Sequence, residues 1–111
     1  MDNSTGSMGM AGLRVGSLNC NGLGGNIKRT KVLTWLKKKQ EDIIFLQETH
    51  STLVLENTWK KEWGGTIYFS HGATNSTGVA ILIKDNKSIE VNNVRTIREG
   101  RVLLIEITRS Q

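Results

Sequence analysis

Two segments, LRVGSLNCNG at residues 13–22 and IIFLQETH at residues 43–50, decide the fold expected for this chain. Each starts as a short apolar strand and ends in a polar cluster. The intervening residues 26–40 have the apolar spacing of a helix, so the two strands should lie parallel in a right-handed βαβ unit. Since parallel strands end at the same edge of a sheet, Asn19 and Glu48 are expected to converge there.

The pair formed by Glu48 and Asn19 indicates a site for a hard divalent cation, because carboxylate and amide oxygens are the ligands that such cations prefer. Glu48 follows the apolar run at residues 43–46, which predicts a central strand covered on both faces. A glutamate with a surface role alone would be poorly placed there. The alternative is that Glu48 stabilises the next segment electrostatically from a helix N-terminus.

The loop NCNGLGG at residues 19–25 and the start of the helix offer contacts to phosphate. The glycines permit backbone shapes closed to other residues, so the loop is either a cradle for phosphate or metal, or a flexible turn. Lys28 and Arg29 lie beside this loop and are expected to reach a bound phosphate. The lysines at residues 37–39 lie in the last helical turn, where they complement the helix dipole.

The second half of the chain predicts a helix followed by β-strands. Helical character extends over residues 51–63 and stops at Gly64-Gly65. Four strands are predicted, at residues 66–70, 78–84, 89–97 and 102–107. The first two of these should form an antiparallel hairpin. With the βαβ unit in front, the fold class is α+β with a mixed sheet.

Composition sets limits on the class of protein. The 111 residues suffice for one small domain, expected at residues 13–111 after a flexible tail at residues 1–12 that is rich in Gly, Ser and Met. The net charge of +5 favours phosphate-rich partners. The single cysteine, Cys20, excludes an intramolecular disulfide and predicts an intracellular location, in the nucleus or cytoplasm. No apolar run approaches the ~20 residues of a membrane span.

Four motifs in a fixed order resemble those of the endonuclease/exonuclease/phosphatase superfamily. They are SLNCNG at residues 17–22, a lysine-rich helix containing Trp35, FLQETH at residues 45–50 and GVAIL at residues 78–82. Over residues 13–107 the chain is most similar to the apurinic-like endonuclease domain of non-LTR (LINE-type) retrotransposons. The resemblance implies a two-sheet α/β sandwich that cleaves phosphodiester bonds with Mg²⁺ or Mn²⁺. Members of this branch nick DNA so that the exposed 3′ hydroxyl primes reverse transcription.

The resemblance also implies roles for individual residues. Asn19 would help to place the phosphate or the metal, and Glu48 would be a metal ligand, which makes these two the expected catalytic residues. Thr49 and His50 would form the wall of the site and contact the DNA backbone. The expected partner is therefore DNA, recognised through its phosphates.

The motifs that the family carries later in its domain are missing from this sequence. They are a Tyr, an Asp-x-Asn pair and a Ser-Asp-His segment with the general base, and the chain ends at Gln111 before them. His50 adjoins the expected metal ligand and His71 lies in a hairpin turn, so neither replaces the base. The expectation is the truncated N-terminal half of an endonuclease domain, inactive alone, with an uncovered sheet face that favours self-association.

Two alternatives stay open. One is a non-enzymatic basic module that binds nucleic acid or another partner, and the other is an unstable product without function. Nicking that depends on Mg²⁺ and is lost in Glu48→Ala would favour the enzyme. Salt-sensitive DNA binding that survives this change would favour the module, provided that it weakens when four basic residues are neutralised. These are Lys28, Arg29, Lys60 and Lys61.

Overall fold

A computed structural model describes residues 5–10, 12–73, 77–85 and 88–109 of the chain. This part contains strands, two α-helices and a short 3-10 helix. In chain order they are β1 (Thr5–Met10), β2 (Leu13–Asn19), α1 (Asn26–Lys37), β3 (Ile43–Gln47), the 3-10 helix (Leu53–Leu55), α2 (Glu56–Trp63), β4 (Thr66–Ser70), β5 (Val79–Ile83), β6 (Ile89–Arg98) and β7 (Val102–Arg109).

Five strands form a mixed sheet in the order β1-β2-β3-β5-β4, and β6 pairs with β7 in a second sheet. The neighbours β2 and β3 are parallel and are joined by α1. The other neighbouring pairs are antiparallel. These pairings confirm the predicted βαβ unit, the hairpin of β4 and β5, and the α+β class. β3 lies at the centre of the first sheet, as its apolar run predicted.

Successive side chains of β3 face two different apolar layers, as the alternation of a strand requires. Ile44 lies on the side of the helices, in a cluster with Leu33 of α1 and Trp59 of α2. Ile43 lies in a second cluster, which includes Leu103 of β7. Both faces of the central strand are therefore covered. Each fully buried Leu or Ile side chain contributes about 1.5–3 kcal/mol to folding.

The second sheet packs on the face of the first sheet that the sequence analysis expected to be uncovered. Leu103, Ile105 and Ile107 of β7 are half-buried and pack against a cluster that includes Ile43 and Ile81. The expectation of an uncovered inner face is therefore corrected for these positions. The hairpin of β6 and β7 supplies apolar side chains at every second residue, which is the spacing needed to cover a sheet.

Other apolar side chains of the second sheet are exposed. Ile97, Val102 and Leu104 have exposed fractions of 57%, 45% and 41%. An apolar surface of this kind is compatible with self-association. The predicted self-association stays a prediction.

β1 lies within the segment expected to be a flexible tail. It pairs antiparallel with β2, with Thr5 opposite Leu18, and Gly12 between the two strands has a φ of +86°. The sequence predicted no strand here because a glycine-rich segment has a weak preference for strands, and the pairing with β2 overrides that preference. Residues 1–4 and 11 lie outside the described residues, and the mobility of the tail stays a prediction.

The helices begin and end close to the predicted positions. α1 starts at Asn26 and ends at Lys37, before the predicted end at residue 40. The segment predicted as helical at 51–63 divides into the 3-10 helix and α2. Gly64, with a φ of +80°, ends α2 and donates its N–H to Lys60 O at 2.9 Å, as the glycine pair predicted. Across the described residues, no helix combines the length and the apolar character needed to cross a bilayer.

Arg29 is fully buried and links α1 to α2. Its Nε donates to Glu62 Oε1 at 2.7 Å, and its Nη2 donates to Asn26 Oδ1 at 2.7 Å. The guanidinium carbon lies 5.9 Å from the centre of the Trp59 ring, within reach of a cation–π interaction. A side chain held in this way is not available to a phosphate, which corrects the predicted nucleic-acid contact of Arg29.

The ion pair also affects the titration of Glu62. The hydrogen bond from Arg29 holds the pKa of the Glu62 carboxyl below its ordinary value of 4.5, although partial burial acts in the opposite direction. Because the pKa is lower in the folded state, the pair stabilises the fold at neutral pH. That contribution is lost as the pH falls below 4.5, the ordinary pKa of the carboxyl, and through its lower pKa in the folded state.

Replacing Glu62 by Ala should lower the free energy of unfolding at pH 7 by about 3 kcal/mol, because the buried Arg29 charge would lose its counterion. Asn26 would be its remaining side-chain hydrogen-bond partner among the described residues. Urea denaturation measures the change. The control Glu99→Ala, at an exposed position in the turn before β7, should alter stability by less than about 0.5 kcal/mol. Equal effects of the two substitutions would contradict the stabilising role of the pair.

Candidate active site

Asn19 and Glu48 meet at the carboxyl edge of the parallel strands. Asn19 is the last residue of β2 and lies opposite Gln47, the last residue of β3, so Glu48 follows directly at the same edge. Asn19 Nδ2 donates a hydrogen bond to Glu48 Oε2 at 2.5 Å. Both side chains are exposed. The convergence expected from the sequence is therefore present, and the Glu48 carboxylate faces solvent.

The amide of Asn19 is engaged at both ends. Its Oδ1 accepts the Asn21 N–H at 3.1 Å, while its Nδ2 is bonded to Glu48. Exchanging the amide oxygen and nitrogen would lose both bonds, so the orientation of the group is fixed. In this arrangement Asn19 orients the carboxylate, and one lone pair of its Oδ1 accepts the Asn21 N–H. The second lone pair of Oδ1 is not used by that bond, so ligation of a metal by Asn19 stays a prediction.

The backbone at the carboxylate adopts a conformation that L-residues rarely take. Glu48 has a φ of +51° and His50 has a φ of +54°. Such residues cost about 1–3 kcal/mol each and occur often at functional sites. Hydrogen bonds from the loop after β2 offset this cost, since Gly22 N donates to Glu48 O at 2.7 Å and Leu23 N donates to Thr49 O at 2.8 Å.

The other side of this turn is bonded to the segment before β5. Thr49 N donates to Gly78 O at 3.1 Å, and His50 N donates to Thr77 O at 3.0 Å. A Cβ atom added at Gly78 would lie 2.5 Å from Thr49 Oγ1, and the φ of Gly78 is +119°. Glycine is therefore required at position 78 for both space and conformation.

Thr49 occupies a different environment from the one that the sequence predicted, whereas the DNA contact of His50 stays a prediction. The Thr49 side chain has no exposed surface and contacts Ser51 Oγ through its Oγ1 at 2.9 Å, so direct contact with a DNA backbone is not available to it. This corrects the prediction for Thr49. His50 is half-buried, and its Nδ1 would lie 2.5 Å from a Cβ atom added at Gly22. The glycine-rich loop thus makes room for an imidazole ring.

Lys28 lies beside the same loop, as predicted. Its side chain is exposed and its Nζ donates to Asn21 O at 3.2 Å. The adjacent Arg29 is buried, because successive residues of an α-helix point about 100° apart. Of the two predicted phosphate contacts, Lys28 alone has a suitable position.

A cavity of about 330 Å³ opens beside Glu48. Its lining includes Gln47 and Glu48 after β3, Gly78 and Val79 at β5, and Gly100 and Arg101 before β7. Hydrogen bonds place the turn before β7 here, since Gly78 N donates to Gly100 O at 3.0 Å and Gly100 N donates to Ser70 Oγ at 2.9 Å. The exposed Arg101 therefore shares a cavity with the Glu48 carboxylate.

No feature of the sequence marks Arg101 as a site residue. Arg101 lies in a turn at residues 98–101. The position of this turn relative to Glu48 depends on how the second sheet packs on the first. An arginine in a turn has no local feature that distinguishes it from a solvated residue. A guanidinium and a carboxylate around one cavity are suited to bind an oxyanion together with a cation.

The donor set near Glu48 fits a weakly bound hard cation. The described residues contain no group of three or more His, Cys, Asp or Glu side chains that could hold a metal ion. Mg²⁺ often binds through one or two carboxylates and completes its coordination with water and substrate phosphate. The exposed Glu48, with Oε2 fixed by Asn19, is compatible with that mode.

Two stacked sheets flanked by helices define an α/β sandwich domain, with a carboxylate and an amide where its parallel strands end. Residues 16–109 match the model of the Endonuclease/Exonuclease/phosphatase family. The chain is 35% identical over 98 residues to the "Transposon TX1 uncharacterized 149 kDa protein" of Xenopus laevis. That similarity covers 88% of this chain and 8% of the relative.

The chain therefore belongs to the endonuclease/exonuclease/phosphatase family, and the predicted family is confirmed. Its similarity to a transposon protein is confirmed as well. The chain spans about 8% of the length of that relative.

Cys20 follows Asn19 directly and is buried. Burial raises the pKa of its thiol from the ordinary value of 9.0 to about 12, with Lys28 lowering the pKa and Glu48 raising it. The folded chain therefore keeps this proton at a pH where the unfolded chain releases it. By linkage, the contribution of Cys20 to stability is complete below pH 9.0 and is lost as the pH rises toward the folded-state pKa.

Raising the pH above 9 should therefore destabilise the natural chain more than a Cys20→Ala variant. The difference between their free energies of unfolding should change by up to about 1.4 kcal/mol for each pH unit above the unfolded-state pKa. Urea denaturation at several pH values between 7 and 10.5 measures this difference, and the interval below pH 8 is the internal control. Parallel curves across the whole range would show that the thiol is not desolvated.

Proposed function

We propose that this chain forms the cation- and phosphate-binding part of a DNA endonuclease site that works with Mg²⁺ or Mn²⁺. The observation that carries the proposal is that Glu48, whose carboxylate is bonded to Asn19, and Arg101 line the same cavity. Family membership and the similarity to a transposon protein support nucleic acid as the substrate class. The net charge of +5 supports an anionic partner.

The two charged groups suit a phosphodiester in different ways. The Arg101 guanidinium can donate two parallel N–H bonds to the non-bridging oxygens. Glu48 repels a phosphate unless a divalent cation lies between them, so the carboxylate is useful here as a cation ligand. When bound, such a cation polarises the phosphoryl group and stabilises charge on the leaving oxygen. Asn19 keeps one carboxylate oxygen fixed, which leaves Oε1 for the cation.

The chain alone is proposed to bind rather than to cleave. Hydrolysis requires a base for the attacking water, and its absence costs about 10²–10⁴ in rate. The cavity defined by the described residues has no histidine in its lining. His50 packs against Gly22, and His71 is bonded to Ser51 and Glu56. The proposal therefore places the base outside the described residues.

A DNA-binding module without chemistry is the second candidate. It is favoured by exposed lysines near the site and on α2, namely Lys28, Lys60 and Lys61. Binding of this kind needs no cation and is sensitive to salt. Binding to a DNA duplex that Mn²⁺ strengthens in the natural chain but not in Glu48→Gln would favour the endonuclease site over the module.

The natural chain should bind Mn²⁺ weakly and saturably, as followed by electron paramagnetic resonance. Asn19→Ala should reduce the affinity about tenfold, as is typical when an outer-shell partner is lost. Glu48→Gln removes the charged ligand and should reduce it further. The control Glu106→Gln changes an exposed glutamate on β7 and should leave binding unchanged. Natural Mn²⁺ affinity in Glu48→Gln would refute the proposed cation site.

Neutralising the phosphate contacts should weaken binding to a short DNA duplex, as measured by fluorescence anisotropy. Arg101→Gln and Lys28→Gln should each lower the slope of log K against log salt concentration by about 1. The control Lys38→Gln changes an exposed lysine at the opposite end of α1 and should leave the slope as it is. Equal losses in all three variants would indicate diffuse attraction by net charge instead of binding beside Glu48.

A further inference from the structure

Four side chains form a continuous hydrogen-bonded chain behind the Glu48 turn. Thr49 Oγ1 lies 2.9 Å from Ser51 Oγ, and Ser51 Oγ lies 2.9 Å from His71 Nδ1. His71 Nε2 lies 2.6 Å from Glu56 Oε2. These contacts join the turn after β3 to the residue that follows β4 and to the first residue of α2. The turn after β3, the start of α2 and the end of β4 are thus tied together at His71.

The chemistry of the four groups assigns the donor and the acceptor of each hydrogen bond. An ionised carboxylate can only accept, so His71 Nε2–H donates to Glu56. An Nδ1 atom without a proton accepts a hydrogen bond from the Ser51 hydroxyl. Ser51 Oγ can then accept from the Thr49 hydroxyl. The Phe69 ring, 5.2 Å from the imidazole centre and tilted by 31°, packs beside the imidazole and restricts its orientation.

The order Ser, His, Glu also occurs in enzymes that use a serine nucleophile, but the burial of these residues excludes that role here. Ser51 is 5% exposed and the Thr49 side chain is fully buried. Neither Ser51 nor His71 lines the cavity beside Glu48 that the described residues form. A substrate in that cavity would not reach the Ser51 hydroxyl. The four hydrogen-bonded side chains therefore affect the cavity only indirectly, by holding the turn that contains Glu48 and Thr49.

We infer that His71 is a positioning residue for the Glu48 carboxylate, an inference that rests on the proposed function. His71 holds Ser51, Ser51 holds Thr49, and the Thr49 backbone is bonded to Leu23 N on one side and to Gly78 O on the other. These hydrogen bonds keep the backbone of Glu48 in its left-handed conformation. The Glu48 carboxylate is then held where Asn19 can donate a hydrogen bond to it.

The test compares two substitutions at one position. His71→Phe keeps a ring beside Phe69 and removes both hydrogen bonds. His71→Asn places an amide oxygen near the position of Nδ1, so it retains an acceptor for Ser51 and loses the bond to Glu56. Two measurements are made on each variant of the chain, namely Mn²⁺ affinity and amide hydrogen exchange at Thr49 and His50. Exchange at Leu46 within β3 is the internal control for global stability.

His71→Phe should speed exchange at Thr49 and His50 about tenfold or more relative to Leu46, and should weaken Mn²⁺ binding about tenfold. His71→Asn should restore most of both properties. Rescue by Asn distinguishes positioning from a packing role, since Asn fills less space than Phe.

Three results would overturn the inference. One is unchanged exchange at Thr49 and His50 in His71→Phe, and another is equal acceleration at Leu46, which would indicate general destabilisation. The third is natural Mn²⁺ affinity in a variant whose turn exchanges faster. Equal Mn²⁺ binding by the natural chain and Glu48→Gln would instead overturn the proposed function. In that case the exchange data would still decide whether His71 holds the turn.

Discussion

The parallel register of β2 and β3 is the constraint on which the site depends. Because Asn19 lies opposite Gln47, the next residue, Glu48, leaves the sheet within hydrogen-bond distance of the Asn19 amide. A shift of one residue would reverse the faces of β3 and move its buried side chains to the wrong layer. The apolar packing on both sides of β3 therefore fixes the position of the carboxylate as well as the fold.

Local pattern was enough to predict this part of the molecule. The polar clusters at residues 19 and 48 follow apolar runs separated by one helix, and the right-handed βαβ rule then leaves one arrangement. The same reasoning could not separate Lys28 from Arg29. The face that α1 buries is set by Glu62 and Trp59, which follow Arg29 by 33 and 30 residues. Tertiary partners decided which of two adjacent basic residues is exposed.

Long-range pairing also explains the other differences from the sequence expectations. Thr49 is buried because the segment before β5 closes over it, with Gly78 lacking the Cβ atom that would collide with Thr49 Oγ1. β1 forms because β2 presents an edge with which a glycine-rich segment can pair. Arg101 reaches the site because β5 and the turn before β7 are bonded through Gly78 and Gly100. None of these contacts leaves a periodic signal in the sequence.

The contribution of Arg101 gives the second sheet a role beyond covering the core. Leu103 lies two residues after Arg101 and is anchored in the apolar layer between the sheets, so the position of the guanidinium depends on that packing. Glu48, in contrast, is positioned by backbone bonds to the loop after β2 and to the segment before β5. The side of the cavity at Glu48, proposed for the cation, and the side at Arg101, proposed for the phosphate, therefore depend on different interactions. Weakening the sheet-to-sheet packing would disturb the phosphate side first, because a half-buried hairpin opens more readily than a turn held at both ends by hydrogen bonds.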